Sequence, residues 1–199
     1  MSFSSGRHWV RNVIENKYLF LCLLIDFFND PLRQYECEMI DGAQRLAKEI
    51  ANGDEEIERS EIDKLLASFY DCQDNRNLFY QSMLIMGYSY YESSRKLIGR
   101  ELKKQGQDIN DFNINLKSIQ SNKDLIESDV RLMRNFLVHN NSVEPHNGQE
   151  EAIKRLQSKY QGIICDGIEL AITSADCVVD SLNKEYSVLK YYCKLVGFN

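Results

Sequence analysis

Apolar residues recur along this chain at intervals of three and four, the spacing that places them on one side of an α-helix, and nowhere alternate with polar ones long enough to demand a sheet. Trp9 to Phe28 is rich in apolar positions and predicts a first helix. Asn29-Asp30-Pro31 reads as a new helix start with proline in its first turn, so a second helix is expected from about Pro31 to Ala51. The acidic stretch Asn52 to Glu58 reads as the loop after it. Ile62, Leu65, Leu66 and Phe69 then predict a short helix ending near Cys72.

From Leu78 to Lys104 a longer helix is expected, with Tyr80, Leu84, Tyr88 and Tyr91 along one face and the basic cluster Arg100, Lys103 and Lys104 at its C-terminal end. Gln105 to Gln120 is Asn-rich and weakly periodic, and reads as a loop with one turn of helix. Ser121-Asn122 opens the next helix, which runs to about His139 before Asn140-Asn141-Ser142 stops it. Beyond the turn region Val143 to Gly148, apolar positions such as Ile163, Leu170, Val178 and Leu182 predict either one long helix or two broken near Gly162 to Gly167. The fold class expected is all-α, a single domain over residues 1–199, with N-terminal helices in 1–72 and a helical bundle in 73–199.

Composition narrows the classes further. The apolar fraction of 43% supports a packed core rather than a disordered chain. The most hydrophobic run, Leu19 to Phe28, is about half the length of a membrane span and is interrupted by Asp26. Met1 to Gly6 lacks the basic-then-apolar pattern of a secretion signal. A cytoplasmic protein without a membrane helix is therefore expected. Six cysteines (Cys22, Cys37, Cys72, Cys165, Cys177 and Cys193) contain no C-x-x-C pair, which predicts reduced, mostly buried thiols and neither a zinc ribbon nor a dithiol centre. No metal site and no cofactor are expected; His8, Trp9 and His146 lack partners at ligand spacing. The net charge of -6 argues against a protein that coats nucleic acid through bulk electrostatics, but leaves room for a local basic cleft. Two clusters would suit one: Arg95, Lys96, Arg100, Lys103 and Lys104, and Lys123, Arg131 and Arg134.

The segment Arg134-Asn135-Phe136-Leu137-Val138-His139 concentrates the candidate chemistry. Ile126, Val130, Met133 and Leu137 form an apolar stripe that predicts the core-facing side of its helix. Leu125, Leu132 and Phe136 form a neighbouring stripe that leads to His139. Asn135 stands four residues before His139 and so shares a face with it. Arg134 stands five before, some 140° away around an ideal helix, so one copy of the segment closes a compact site poorly. The bare pattern R-x4-H is expected by chance about 0.2 times in a chain of this composition, and the added asparagine lowers that to about 0.01.

This segment resembles the R-x(4-6)-H signature of the HEPN superfamily, in which a polar residue commonly follows the arginine, as Asn135 does here. The resemblance implies a HEPN-like helical bundle, here with extra N-terminal helices, that pairs as a homodimer with a composite site. It further implies a metal-independent endoribonuclease of toxin-antitoxin or antiviral defence systems, acting on an RNA substrate, with an antitoxin or defence-system protein as a further partner. A tyrosine often stands two residues after the histidine in the subgroup paired with a nucleotidyltransferase antitoxin, where this chain has Asn141.

On that reading Arg134 binds the scissile phosphate, His139 moves protons, and Asn135 orients the imidazole or holds a phosphate oxygen. Arg131, Glu92 and Arg95 are the further candidates for contact with RNA. One alternative is a non-catalytic HEPN module that binds RNA, nucleotide or a partner protein. Another is a plain helical interaction protein, in which His139 only meets its helix dipole and Arg134 pairs with Glu127 or Asp129. The tyrosine stripe Tyr80, Tyr88, Tyr90 and Tyr91 is similarly open between base stacking and core or dimer interface.

Overall fold

The computed structural model describes residues 5–67, 70–139, 149–165 and 170–198, with the side chains of 5–7 and 70–74 left aside. Phe69, the Cys72 side chain, the stop at Asn140-Asn141-Ser142, the turn Val143 to Gly148 with His146, and Gly167 lie outside the described residues. The fold class is all-α with one small hairpin.

A single helix, α1 (Ser5–Ala51), runs where two were expected. Pro31 has no N–H to give the carbonyl four residues back, a loss of about 3 kcal/mol in a helix interior. The next long helix, α3 (Tyr70–Lys103), holds α1 on both sides of that defect. Before the proline, Tyr80 donates its hydroxyl to Asn29 Oδ1 at 2.6 Å; after it, Arg76 Nη1 donates to Glu36 Oε2 at 2.5 Å. Tertiary contacts thus override the local break signal.

Asn52 and Gly53 end α1 in left-handed conformations, with φ of 46° and 95°, and Asp54 caps α2 (Glu55–Leu66) by accepting from the Glu56 and Ile57 amides. The acidic stretch expected to be a loop therefore supplies a short turn plus the first turn of α2. Glu55, Glu56 and Glu58 there meet the positive end of the helix dipole.

On α3 the expected stripe is core: Tyr80, Leu84, Tyr88 and Tyr91 are all buried, as is Tyr90. After a 3-10 turn at Ile109–Asp111, helix α4 (Lys117–Leu125) begins ahead of the Ser121-Asn122 start expected. It passes through a π-helical turn at Ile126–Val130 into α5 (Arg131–His139). The C-terminal part resolves into two helices, α6 (Gln149–Lys159) and α7 (Asp176–Leu195). Between them stands an antiparallel hairpin, β1 (Ile163–Cys165) and β2 (Leu170–Ile172), with Ile163 opposite Ile172. Strands this short leave no period-two pattern to read. The outer edge of β2 is satisfied by α3: the Ile172 amide donates to Asn77 Oδ1 at 2.7 Å, and Gln81 Nε2 donates to the Leu170 carbonyl at 2.9 Å.

Among the described cysteines Cys177 and Cys193 are buried and Cys22 and Cys165 half-buried, all as free thiols. Cys37 departs from the expected pattern by lying exposed on the outer side of α1. No helix of the described residues is long and apolar enough to cross a membrane.

Where α7 packs on α3, Glu185 is 1% exposed and neither carboxylate oxygen has a hydrogen-bond partner; Tyr90 and Ser181 leave their hydroxyls unpartnered in the same seam. Gly87 makes room for it, since a Cβ there would stand 3.1 Å from Glu185 Oε2. Burial holds this carboxyl well above its ordinary value of 4.5, so folding favours the protonated form. That contribution is intact below the unfolded value and is lost as pH rises through and above it. Glu185→Gln is therefore expected to raise Tm at pH 7 by roughly 3–6 °C over the wild type in calorimetry. The difference should shrink as pH falls toward 4.5, and a variant less stable than wild type at pH 7 contradicts the assignment.

Candidate functional site

The motif sits on α5, and its setting begins with the turn before it. Arg131 N–H donates to the Ile126 carbonyl five residues back, the bond that defines a π-turn. One extra residue in a turn rotates everything after it by roughly 100° relative to what came before. Met133, Phe136 and Leu137 are buried together, so the Ile126 stripe enters the core whole, whereas the neighbouring stripe enters it through Phe136, with Leu125 and Leu132 only half-buried.

The same turn distributes its acids to separate partners. Glu127 Oε1 accepts from Arg95 Nη1 at 2.6 Å and from the Tyr91 hydroxyl at 3.1 Å, and Lys123 Nζ lies 3.9 Å from Oε2. Asp129, 6% exposed, accepts two bonds from Arg155 on α6, at 3.0 Å from Nε and 2.6 Å from Nη2. Both acids considered as partners for Arg134 are thereby engaged elsewhere.

Arg134 is half-buried and has no carboxylate partner among the described residues. Its Nη1 donates to the Asn135 side-chain oxygen at 3.0 Å, while its Nε is buried without a partner. The structure therefore joins Arg134 to Asn135. His139 ends α5 with an exposed imidazole, bonded to neither of them. The expected contact of Asn135 with His139 is absent from this chain, because the amide oxygen turns to the neighbouring guanidinium instead.

Beside α5, the C-terminal half of α3 forms one wall of a cleft of about 730 Å³. Glu92 and Arg95 line it, as does Glu127 from the π-turn. Lys96, Arg100 and Lys103 add three more cations, and Gly99 leaves bare helix backbone between them, with open space where a Cβ would stand. Arg131 and Arg134 lie outside the lining, yet both act on Tyr88, a residue that does line the cleft. Burial raises the Tyr88 phenol above its ordinary value; Glu92 and Glu127 add to that, while Arg131 and Arg134 oppose it. Of the further candidates read from the sequence, Glu92 and Arg95 line the cleft and Arg131 does not. Sequence reading missed that Glu127 reaches the cleft, because a π-turn carries no periodic signal.

No group of three or more His, Cys, Asp or Glu side chains among the described residues is placed to hold a metal ion. Comparison of the chain with protein-family models, with curated proteins and with solved structures finds no match in any of the three.

The contrast between the two charged residues of this helical run is testable by thermal unfolding. Asp129→Ala removes a buried acceptor that ties the π-turn to α6, and a fall in Tm of roughly 5 °C is expected. Arg134→Ala removes a group with an unmet bond and should shift Tm by less than about 2 °C. The reverse order would make Arg134 a structural cation.

Proposed function

We propose that this chain is a metal-independent endoribonuclease of HEPN type, acting as an effector in microbial defence, with Arg134, Asn135 and His139 as its catalytic residues. The observation that carries the reading is the state of Arg134: a guanidinium without a carboxylate among the described residues, bonded to the Asn135 amide oxygen and with its Nε unpartnered. That is the condition in which a planar cation can take a phosphate, whereas an ion-paired arginine must first give up its partner.

The proposed chemistry uses the RNA's own 2'-hydroxyl. One imidazole takes the 2'-hydroxyl proton as its oxygen bonds to phosphorus, and a second group returns a proton to the departing 5'-oxygen. The products are a 2',3'-cyclic phosphate and a 5'-hydroxyl. Arg134 stabilises the charge gathered on the phosphoryl oxygens, Asn135 holds the guanidinium toward them, and His139 moves protons. Arg134 and His139 are not joined in one chain, so the reading includes a second copy that contributes the complementary histidine. Arg131 holds a flanking phosphate, and Arg95 holds another once it gives up Glu127.

A second reading is favoured by one observation, namely that the cleft is lined by Arg95, Lys96, Arg100 and Lys103 but by neither Arg134 nor His139. It makes the chain a non-catalytic module that holds RNA or nucleotide.

Incubating the full chain with single-stranded RNA in excess chelator separates the two. Cleavage by the wild type with 2',3'-cyclic phosphate ends, reduced about 10²- to 10⁴-fold in Arg134→Ala and in His139→Ala, is expected. RNA binding without cleavage in the wild type would replace the first reading with the second.

A further inference from the structure

The outer side of α1 carries large apolar side chains in water. Leu19, Phe20, Leu23 and Phe27 are 49%, 60%, 66% and 70% exposed. Over the same stretch α1 buries Val10, Ile14, Leu21 and Ile25, and at 100° per residue the exposed set points roughly 155° away from them. A helix needs one apolar stripe to dock on its own core; this one has two.

The second stripe has the spacing of a helix-pairing seam. Asn16, Phe20, Leu23, Phe27 and Asp30 follow a 4-3-4-3 pattern, with both polar ends exposed. Under an antiparallel two-fold centred on Leu23 the seam is its own complement. Leu23 meets Leu23 of the second copy, Phe20 meets Phe27, and the Asn16 amide reaches the Asp30 carboxylate. Parallel pairing would instead set Asp30 against Asp30. A membrane surface is disfavoured, because Asp26 and Asp30 flank the stripe in a chain of net charge -6. Burying the exposed parts of these side chains on two copies removes roughly 1,000 Å² from water, the lower bound of a specific interface.

We infer that the outer face of α1 is a self-association surface, pairing two copies of this chain antiparallel about Leu23. The inference stands apart from the proposed catalysis: α1 packs on α2, α3 and α7, whereas α5 packs on α3 and α6.

Sedimentation equilibrium of the full chain between about 1 and 100 μM tests it. The wild type is expected to associate toward the upper end, and Leu23→Glu to lose one two-fold step of that association, down to a monomer or to the pair that the motif helix alone supports, with unchanged helical circular dichroism and Tm. Asn16→Asp should raise the dissociation constant about tenfold by facing Asp30, and Asn16→Asp combined with Asp30→Lys should restore wild-type association or better. A wild type whose mass Leu23→Glu leaves unchanged, or a double variant weaker than Asn16→Asp, overturns the antiparallel pairing, whereas a residual pair in Leu23→Glu belongs to the motif helix and not to α1.

Discussion

The arrangement of charge in this protein depends on one backbone bond, from the Arg131 amide to the Ile126 carbonyl. In an unbroken α-helix that carbonyl would accept from Val130, and the side chains downstream would stand about one residue further round. With the π-turn in place, Glu127 meets Arg95 and Tyr91 on α3 while Asp129 meets Arg155 on α6. The two acids in closest sequence reach of Arg134 are spent in joining helices. The Arg134 guanidinium is left with the Asn135 amide alone among the described side chains.

Around that turn α3 acts as the spine. It grips α1 through Tyr80 and Arg76, closes the free edge of β2 through Asn77 and Gln81, and presents Arg95 to the cleft. The polar groups of its N-terminal half are largely satisfied by neighbours. Farther along, its seam with α7 holds Tyr90 and Glu185 without partners. Stability and candidate chemistry thus draw on different stretches of the same helix, so substitutions near Glu185 act on folding while those near Arg95 act on the cleft.

Much of this was legible in the sequence, for reasons that differ by element. The stripe Tyr80-Leu84-Tyr88-Tyr91 is buried as its spacing requires, because packing on a core face rewards that period directly; Ile126, Val130, Met133 and Leu137 are buried too, with the π-turn spanning the first two. Pro31 misled, since its break signal is local and the clamps that override it come from α3. The acidic run at Asn52 to Glu58 misled because carboxylates suit loops and helix N-termini alike. The hairpin was hidden by the brevity of its strands, and the π-turn by the fact that one inserted residue leaves apolar spacing on either side intact. The motif was legible as six residues; that its arginine and asparagine join while its histidine stands apart depends on rotamers and packing, which spacing does not encode.

The central claim is that Arg134 is held free of the described carboxylates and so is open to a phosphate. Arginine Nε–H resonances followed by ¹⁵N–¹H NMR during titration with a 2'-deoxy dinucleotide, which cannot be cleaved by the proposed route, address it directly. A saturable shift of the Arg134 signal, with the Asp129-bound Arg155 signal unmoved, is the predicted result. Binding of the dinucleotide that leaves Arg134 unperturbed, or that moves Arg155 equally, would contradict it.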